Sequence, residues 1–361
     1  GEMRVAATPD SVKRYITLGA SVSVETEAGH GSAIADKDYE AAGAAVAPDA
    51  ASCVRDADII LTVRAPGKEE LAHAPDGAIL VGMLDPHAEH EAIDHYNSKK
   101  ISAFAMELLP RISRAQSMDV LSSQSNLAGY RAVIDAVATF GKVVPMMMTA
   151  AGTVPPAKVL VLGAGVAGLQ AIATAKRLGA VVSAFDVRPA VKEQVESLGA
   201  KFIEVPAEES GEATGGYAKE MSEEYKRRQN QLIHNTIVKQ DVVITTALIP
   251  GKPAPVLITE EMVKDMKAGS MIVDLAASAG GNCPLTELDK VVTRHEVTLI
   301  GFGNMPSRVA VDASQLYARN LYNFVSALMF TKDGLNVKWD DEIIAGTLLT
   351  KDGATVHKQF V

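Results

Sequence analysis

The sequence predicts an α/β protein of two doubly wound parallel-sheet domains with a cleft between them, and three observations predict it. Short apolar runs of strand length alternate with helix-like segments along most of the chain, the pattern of βαβ units and parallel sheets. The alternation comes in two series, separated by a Gly- and Pro-rich stop, Gly152-Thr153-Val154-Pro155-Pro156. A chain of 361 residues is long for one compact domain and ordinary for two.

In the first series a helix is expected over residues 11–18, after Thr8-Pro9, followed by a strand over 21–25. Residues 58–63 (DIILTV), 79–83 and 101–106 are further strand-length apolar runs, each preceded by a polar or Gly-containing turn. From about residue 122 to 149, Leu127, Tyr130, Val133, Ile134, Val137 and Phe140 recur at helical spacing. The second series has β runs at 158–162, 181–186, 202–205, 241–245, 270–274 and 298–301. A last helix over 313–328 leads to a short β tail at 335–339 and 347–349, too small to form a domain and expected to fold back on the first. The domains are therefore placed at 1–121 plus 311–361 and at 122–310.

Composition excludes several classes of function. A net charge of −9 argues against nucleic acid as a partner, because the phosphate backbone is bound by basic surface. No apolar run approaches the ~18 residues of a membrane span, so the chain reads as soluble by itself. The two cysteines, Cys53 and Cys283, lie far apart and suit a reducing compartment. The eight histidines, His87, His90 and His95 among them, show no ligand spacing, and no metal site is expected.

The sharpest local signal is VLVLGAGVAGLQAIATAKRLGAVVSAFD. An apolar strand runs straight into Gly163-Ala164-Gly165-Val166-Ala167-Gly168, a helix follows and closes at Gly179, and a second apolar strand ends at Asp186. Gly163 permits a tight turn, Gly165 lets backbone approach a pyrophosphate, and Gly168 allows close helix–strand packing. Free N–H groups and the dipole at the helix start hold phosphate. Asp186, 18 residues after Gly168, is placed to accept hydrogen bonds from an adenosine ribose. This is a Rossmann-type fingerprint in full context, whereas GxGxxG alone is weak. The carboxylate of Asp186 disfavours a 2′-phosphate, so NAD(H) is preferred over NADP(H), even though Arg188 nearby is the kind of residue that accommodates that phosphate. Residues 208–228, EESGEATGGYAKEMSEEYKRR, read either as a solvated loop entering a surface helix or as a mobile lid.

Several longer stretches are more specific still: PRISRAQSMDVLSSQSNLAGYRAV at 110–133, MTAAGTVPPAKVLVLGAGVAGLQAIATAKRLGA at 148–180, DVRPAVKEQVESLGA at 186–200, GGYAKEMSEE at 215–224, TTALIPGKPAP at 245–255 and MIVDLAASAGGNCPLT at 271–286. Through them the chain resembles, over almost its whole length, the NAD(H)-binding component (domain I, or alpha-1 subunit) of proton-translocating nicotinamide nucleotide transhydrogenases. The resemblance implies direct hydride transfer between NAD(H) here and NADP(H) on a separate component, with protons moved by a membrane-spanning component. It implies that Arg111, Gln116 and Asp119 position the nicotinamide without acting as acid or base, and that Ile112, Ser113 and Ser122 belong to the same loop. Ala164, Gly165, Val166, Asp186, Val187, Arg188, Gly216, Gln229 and Leu248 match nucleotide contacts of the family, beside Gly163 and Gly168 of the fingerprint, and Tyr217 sits in a loop that closes over the nucleotide. A homodimer is implied, held in the cytoplasm of a bacterium against the inner membrane through its partner subunits. The family has one more strand before a segment like EMRVAATP, so the edge of the first sheet is expected to be missing. Because some relatives continue into membrane helices, the chain reads as a stand-alone subunit or an excised domain.

The nearest enzyme rival is alanine dehydrogenase, similar at RVAATP and at NMPS (304–307). Arg4 matches that family's early Arg, but its Lys, His and Asp fall on Thr62, Met83 and Ser278, which leaves no acid–base pair to move protons. A nucleotide-sensing module that binds NAD(H) without turnover is the other alternative.

Overall fold

In a computed structural model, residues 1–205 and 222–361 are described. Gly216, Tyr217 and most of the segment read as a lid lie outside them. The chain divides into two compact units, Gly1–Gln124 with Ser307–Val361, and Ser125–Pro306.

The second unit is built on a seven-stranded sheet. From one edge the order is Lys201–Ile203, Val181–Phe185, Lys158–Leu162, Val242–Thr245, Met271–Asp274, Val297–Ile300 and Val291–Arg294. All neighbours are parallel except the last pair, whose edge strand Val291–Arg294 runs antiparallel and was not foreseen from sequence. Strand residues alternate between two faces, as the pleat requires. Val159, Val161, Val182, Ala184, Val242 and Ile244 pack with Ala171, Ile172 and Ala175 of the helix Val166–Arg177, and with Val133 and Ala136 of the helix Val120–Thr139. Leu160, Leu162, Phe185, Val243 and Ile272 face the other way, onto Ile233 and Ile237 of the helix Glu223–Ile237 and Met262 and Val263 of Glu260–Lys264. Helices on both faces make this a doubly wound sheet.

The first unit has a five-stranded sheet in the order Ala354–Thr355, Leu348–Lys351, Ser102–Ala105, Ile79–Gly82, Ile59–Leu61. The three strands from the first series are parallel, but Leu348–Lys351 joins antiparallel to Ser102–Ala105. The sheet is therefore mixed rather than wholly parallel. One face carries Ile79, Val81 and Phe104 against Tyr317, Leu321 and Phe324 of the helix Ala310–Leu328. The other carries Ile60, Leu80 and Ala103 against Ile93 and Tyr96 of the helix His90–Ser98. The strand expected near 21–25 forms at Ser23–Glu25, yet it pairs only with Ala45–Ala47, in a separate two-stranded parallel sheet.

Two further expectations change. The helical periodicity from residue 122 stops at Thr139, and Met147–Thr149 and Gly152–Val154 form an antiparallel hairpin. In the tail, only Leu335 of the run read as a strand at 335–339 is in a strand, at the end of a small hairpin of Phe330–Thr331 with Gly334–Leu335, and the helix Glu342–Thr347 follows. Asp341 caps that helix, accepting from Ile343 N–H, which ends any extended run before it.

Candidate functional site

In the second unit the chain leaves the strand Lys158–Leu162 towards Val181–Phe185 on one side, while Val242–Thr245 lies on the other. Their carboxyl ends form the topological switch point where ligands bind in open α/β sheets. The glycine-rich turn sits there. Gly163 has φ +100, a backbone conformation that a side chain would strain, and its N–H bonds Phe185 O at 2.8 Å. A Cβ on Gly168 would run into Gly163 O, so only glycine lets the helix start this close to the strand. Gly165 is different: a Cβ there would meet nothing nearer than Arg188 Nη2 at 3.9 Å, which leaves the approach to the turn clear.

The helix Val166–Arg177 has no side-chain cap at Gly165. Its first N–H groups lack intrahelical acceptors, and with the positive end of the helix dipole they suit an anion. The turn is braced from the next strand, where Thr246 Oγ1 donates to Gly163 O at 3.0 Å. Leu248, two residues on, is 47% exposed. Gln229, on the helix Glu223–Ile237, is only 8% exposed, and its amide makes no hydrogen bond among the described residues. Val187 is partly buried against the face that also holds Phe185.

Asp186 ends its strand with a carboxylate 5% exposed, fully engaged by the protein. Its Oδ2 accepts from Ala164 N–H at 2.7 Å, and Arg188 donates to the carboxylate through its backbone N–H and its guanidinium.

Sequence reasoning missed the supports behind this turn. Asn282 donates to Ala247 O and Pro255 O and accepts from Ala247 N–H, pinning the loop after Val242–Thr245. Asp274, fully buried, accepts from Thr245 and Thr286 hydroxyls and from the N–H groups of Ala276 and Cys283. The stretches TTALIPGKPAP and MIVDLAASAGGNCPLT held the signal, but the pairing between them is non-local.

In the first unit, the loop carrying Arg111, Ile112 and Ser113 enters a 3₁₀ helix, Ser113–Met118. Ala115 and Met118 anchor it in the core, and Ile112 packs against the same cluster. Arg114 pairs with Asp341 at 2.7 Å and Glu342 at 3.3 Å, and Ser117 O accepts from the amides of Asn320 and Asn323. Asp119 caps the long helix, accepting from Ser122 N–H at 2.9 Å and from the Ser122 hydroxyl. These two residues thus have a local structural task. Gln116 is exposed and its side chain makes no hydrogen bond among the described residues, so a well-anchored loop presents a free amide.

The rival's residues lie elsewhere in local chemistry. Arg4 is held by Glu2 and Gln124, and Thr62 donates its hydroxyl to Arg64 O. Ser278 is exposed. Among the described residues no His/Cys/Asp/Glu group suits a metal ion, and no helix is long and apolar enough to cross a membrane.

Comparison with known proteins decides among these readings. Residues 1–128 match the family model for the alanine dehydrogenase/PNT N-terminal domain, and residues 132–358 match that for the C-terminal domain. An NAD(P) transhydrogenase alpha-subunit protein of Rhodospirillum rubrum is 56% identical, over 99% of this chain and 95% of that protein. The chain belongs to the NAD(P) transhydrogenase alpha-subunit family. A solved transhydrogenase structure from Sinorhizobium meliloti superposes with a TM-score of 0.87 at 50% identity, covering 99% of this chain and 96% of that one. Alanine dehydrogenase 2 of Staphylococcus aureus is more distant from this transhydrogenase-family chain, at 32% identity over 92% of this chain and 85% of that protein.

Proposed function

We infer that the chain is the NAD(H)-binding component of a proton-translocating transhydrogenase. The observation that carries this is the uncapped, glycine-cleared turn at the switch point of the second unit's sheet, in a chain of this family. The N–H groups at the start of Val166–Arg177 hold the pyrophosphate, with Gly163, Gly165 and Gly168 giving it room. Asp186 takes the adenosine ribose, with Ala164, Val166, Val187, Arg188, Gln229 and Leu248 around the nucleotide. Gly216 and Tyr217 are assigned to it as well, from sequence alone.

In the first unit, Arg111, Gln116 and Asp119, with Ile112, Ser113 and Ser122, are assigned to the nicotinamide and its ribose. When bound, the nicotinamide supplies the hydride chemistry, and no protein acid or base is needed. The protein's task is to orient that ring and keep water from it, and a side chain held by an anchored 3₁₀ turn does this with little loss of freedom.

One dinucleotide fingerprint serves one nucleotide, so the NADP(H) belongs to a separate component and proton movement to a membrane-spanning one. The chain is then peripheral, on the cytoplasmic face of a bacterial inner membrane through those partners. A homodimer is supported by the hairpin of the second unit, where Met146, Met147 and Met148 are 60%, 44% and 77% exposed in one apolar run.

A cyclic assay tests the reading: NADH reducing an NAD⁺ analogue, with and without an added soluble NADP(H)-binding component and its nucleotide. The chain alone should be silent and the mixture active. Turnover by the chain alone would defeat the assignment, and silence of a competent mixture would favour a nucleotide sensor. For the dimer, Met148→Asp should lower the sedimenting mass to that of one chain.

A further inference from the structure

Asp186 is already saturated. An ionised carboxylate offers about four acceptor positions. Oδ1 accepts from Arg188 N–H at 2.9 Å and from Arg188 Nε–H at 2.9 Å. Oδ2 accepts from Ala164 N–H at 2.7 Å and from Arg188 Nη2–H at 2.7 Å. Two of these donors are backbone and cannot leave without unmaking the turn. The other two belong to one guanidinium, and they are a donor pair spanning both carboxylate oxygens, as the two hydroxyls of a ribose diol would be.

We propose that Arg188 is a specificity-determining placeholder: its guanidinium occupies the ribose position on Asp186, and nucleotide binding moves it onto the pyrophosphate. The inference rests on the NAD(H) assignment above. The exchange on Asp186 is donor for donor, two hydroxyls replacing Nε–H and Nη2–H, so no acceptor is left unpaired. The guanidinium is only 16% exposed, and a cation moved off Asp186 there is stabilised by an anion close by. It has one within reach, because Nη2 already lies 3.9 Å from the Cβ position of Gly165, beside the turn that grips phosphate. A nucleotide therefore contributes two parts: a free diol to release Arg188, and a pyrophosphate to receive it. A 2′-phosphate removes one of the two hydroxyl donors and sets a second anion beside Asp186, so NADP(H) cannot complete the exchange. Adenosine alone has the diol but brings no phosphate.

The experiment is calorimetric titration of the full chain with adenosine, ADP and NADH, for the wild type, Arg188→Ala and Arg188→Lys. With the placeholder gone, Arg188→Ala should bind adenosine about tenfold more tightly and ADP about tenfold more weakly, as suits the loss of one charge-assisted bidentate pair on each side. Arg188→Lys keeps the charge but not the fork, so its adenosine affinity should also rise while ADP binding stays closer to the wild type. The opposite signs are the signature, since a residue that merely shapes the turn would weaken all three ligands together. Parallel losses in both variants, or an unchanged adenosine affinity in Arg188→Ala, would overturn the proposal. Wild-type chain that binds neither ADP nor NADH would instead overturn the underlying nucleotide assignment, and this inference with it.

Discussion

The two units share an architecture and differ in what closes the ends of their strands. In the first unit, Tyr317 donates its hydroxyl to Thr62 O and accepts from Met83 N–H, so one buried side chain from Ala310–Leu328 ties off two strand ends. After the third strand, Glu107 accepts from Asp85 N–H, while its other oxygen, Oε2, is buried without a hydrogen-bond partner among the described residues. In that unit Thr8, Asp49 and Asp341 cap three helix starts, while the starts at Glu89 and Val309 have no side-chain cap, though neither follows directly on a strand of the sheet. In the second unit Ser222 and Thr259 cap their helices in the same way, whereas the start at Gly165, soon after a strand of the sheet, has no side-chain cap among the described residues. In both units the parallel part of the sheet supplies the crevice. Whether it becomes a nucleotide site depends on leaving donors unpaired and backbone approachable.

Breaking the contrast should have its largest effect on stability where the closure is buried. Burial pushes the Glu107 carboxyl up to about 7 from an ordinary 4.5. Between those values the folded chain binds more protons than the unfolded one, so this group's contribution makes stability fall as pH rises from about 4.5 to about 7. Glu107→Gln removes the charge, and urea unfolding should find it more stable than the wild type at pH 8, by up to ~3 kcal/mol, with the gap closing near pH 4. A gap independent of pH would show that the carboxylate is not held against its preference.

On the open side, Gly168→Ala forces a Cβ against Gly163 O, a backbone atom that cannot yield cheaply. Overpacking of this kind costs about 1–3 kcal/mol, and if it falls on the nucleotide-binding form of the turn, the Kd for NADH should rise by up to roughly 100-fold. Fluorescence titration with NADH reads it, and an unchanged Kd would remove the turn from the site.

Smaller effects sharpen the assignment of roles. Gln116→Asn shortens a side chain that makes no hydrogen bond among the described residues, on an anchored loop, so with a competent partner present hydride transfer should fall by roughly 10–100-fold while NADH affinity changes little, because misplacing a reacting ring by about 1 Å acts on rate. If affinity fell in parallel with rate, the loop would be a binding element only. The mildest test is cofactor choice. NADH should bind at least about tenfold more tightly than NADPH, a difference of ~1.4 kcal/mol, and Asp186→Ala should narrow the gap by weakening NADH more. Equal affinities in the wild type would remove Asp186 from its role.

Local pattern made the glycine-rich segment legible: strand, turn, helix and second strand lie in one contiguous stretch, so period and glycine spacing sufficed. The same holds for the apolar runs of both sheets, whose alternation between faces is a property of the pleat. The hairpin at Met147–Val154 was not legible, because an apolar run after a helical pattern has no periodicity that distinguishes a strand from more helix. The tail was legible only in half. Its strand Leu348–Lys351 shows as an apolar run, but the helix Glu342–Thr347 owes its start to the Asp341 cap, and that aspartate is also held by Arg114, more than two hundred residues away.

The site divides along the same line. Sequence by itself determined that a tight glycine-rich turn joins a strand to a helix, that Gly163, Gly165 and Gly168 shape it and that a carboxylate follows the next strand, since each follows from neighbours along the chain. Only the tertiary structure decided that Thr246 braces the turn, that Asn282 and Asp274 hold the loop beside it, and that Asp119 is occupied as a helix cap. It also decided that Asp186 meets Ala164 and Arg188 before any nucleotide does. The physical reason is that a hydrogen-bond partner is chosen by distance and angle in the folded chain. Two residues apart, Asp186 and Arg188 show in sequence only that a pair is possible; the burial around them makes it a commitment.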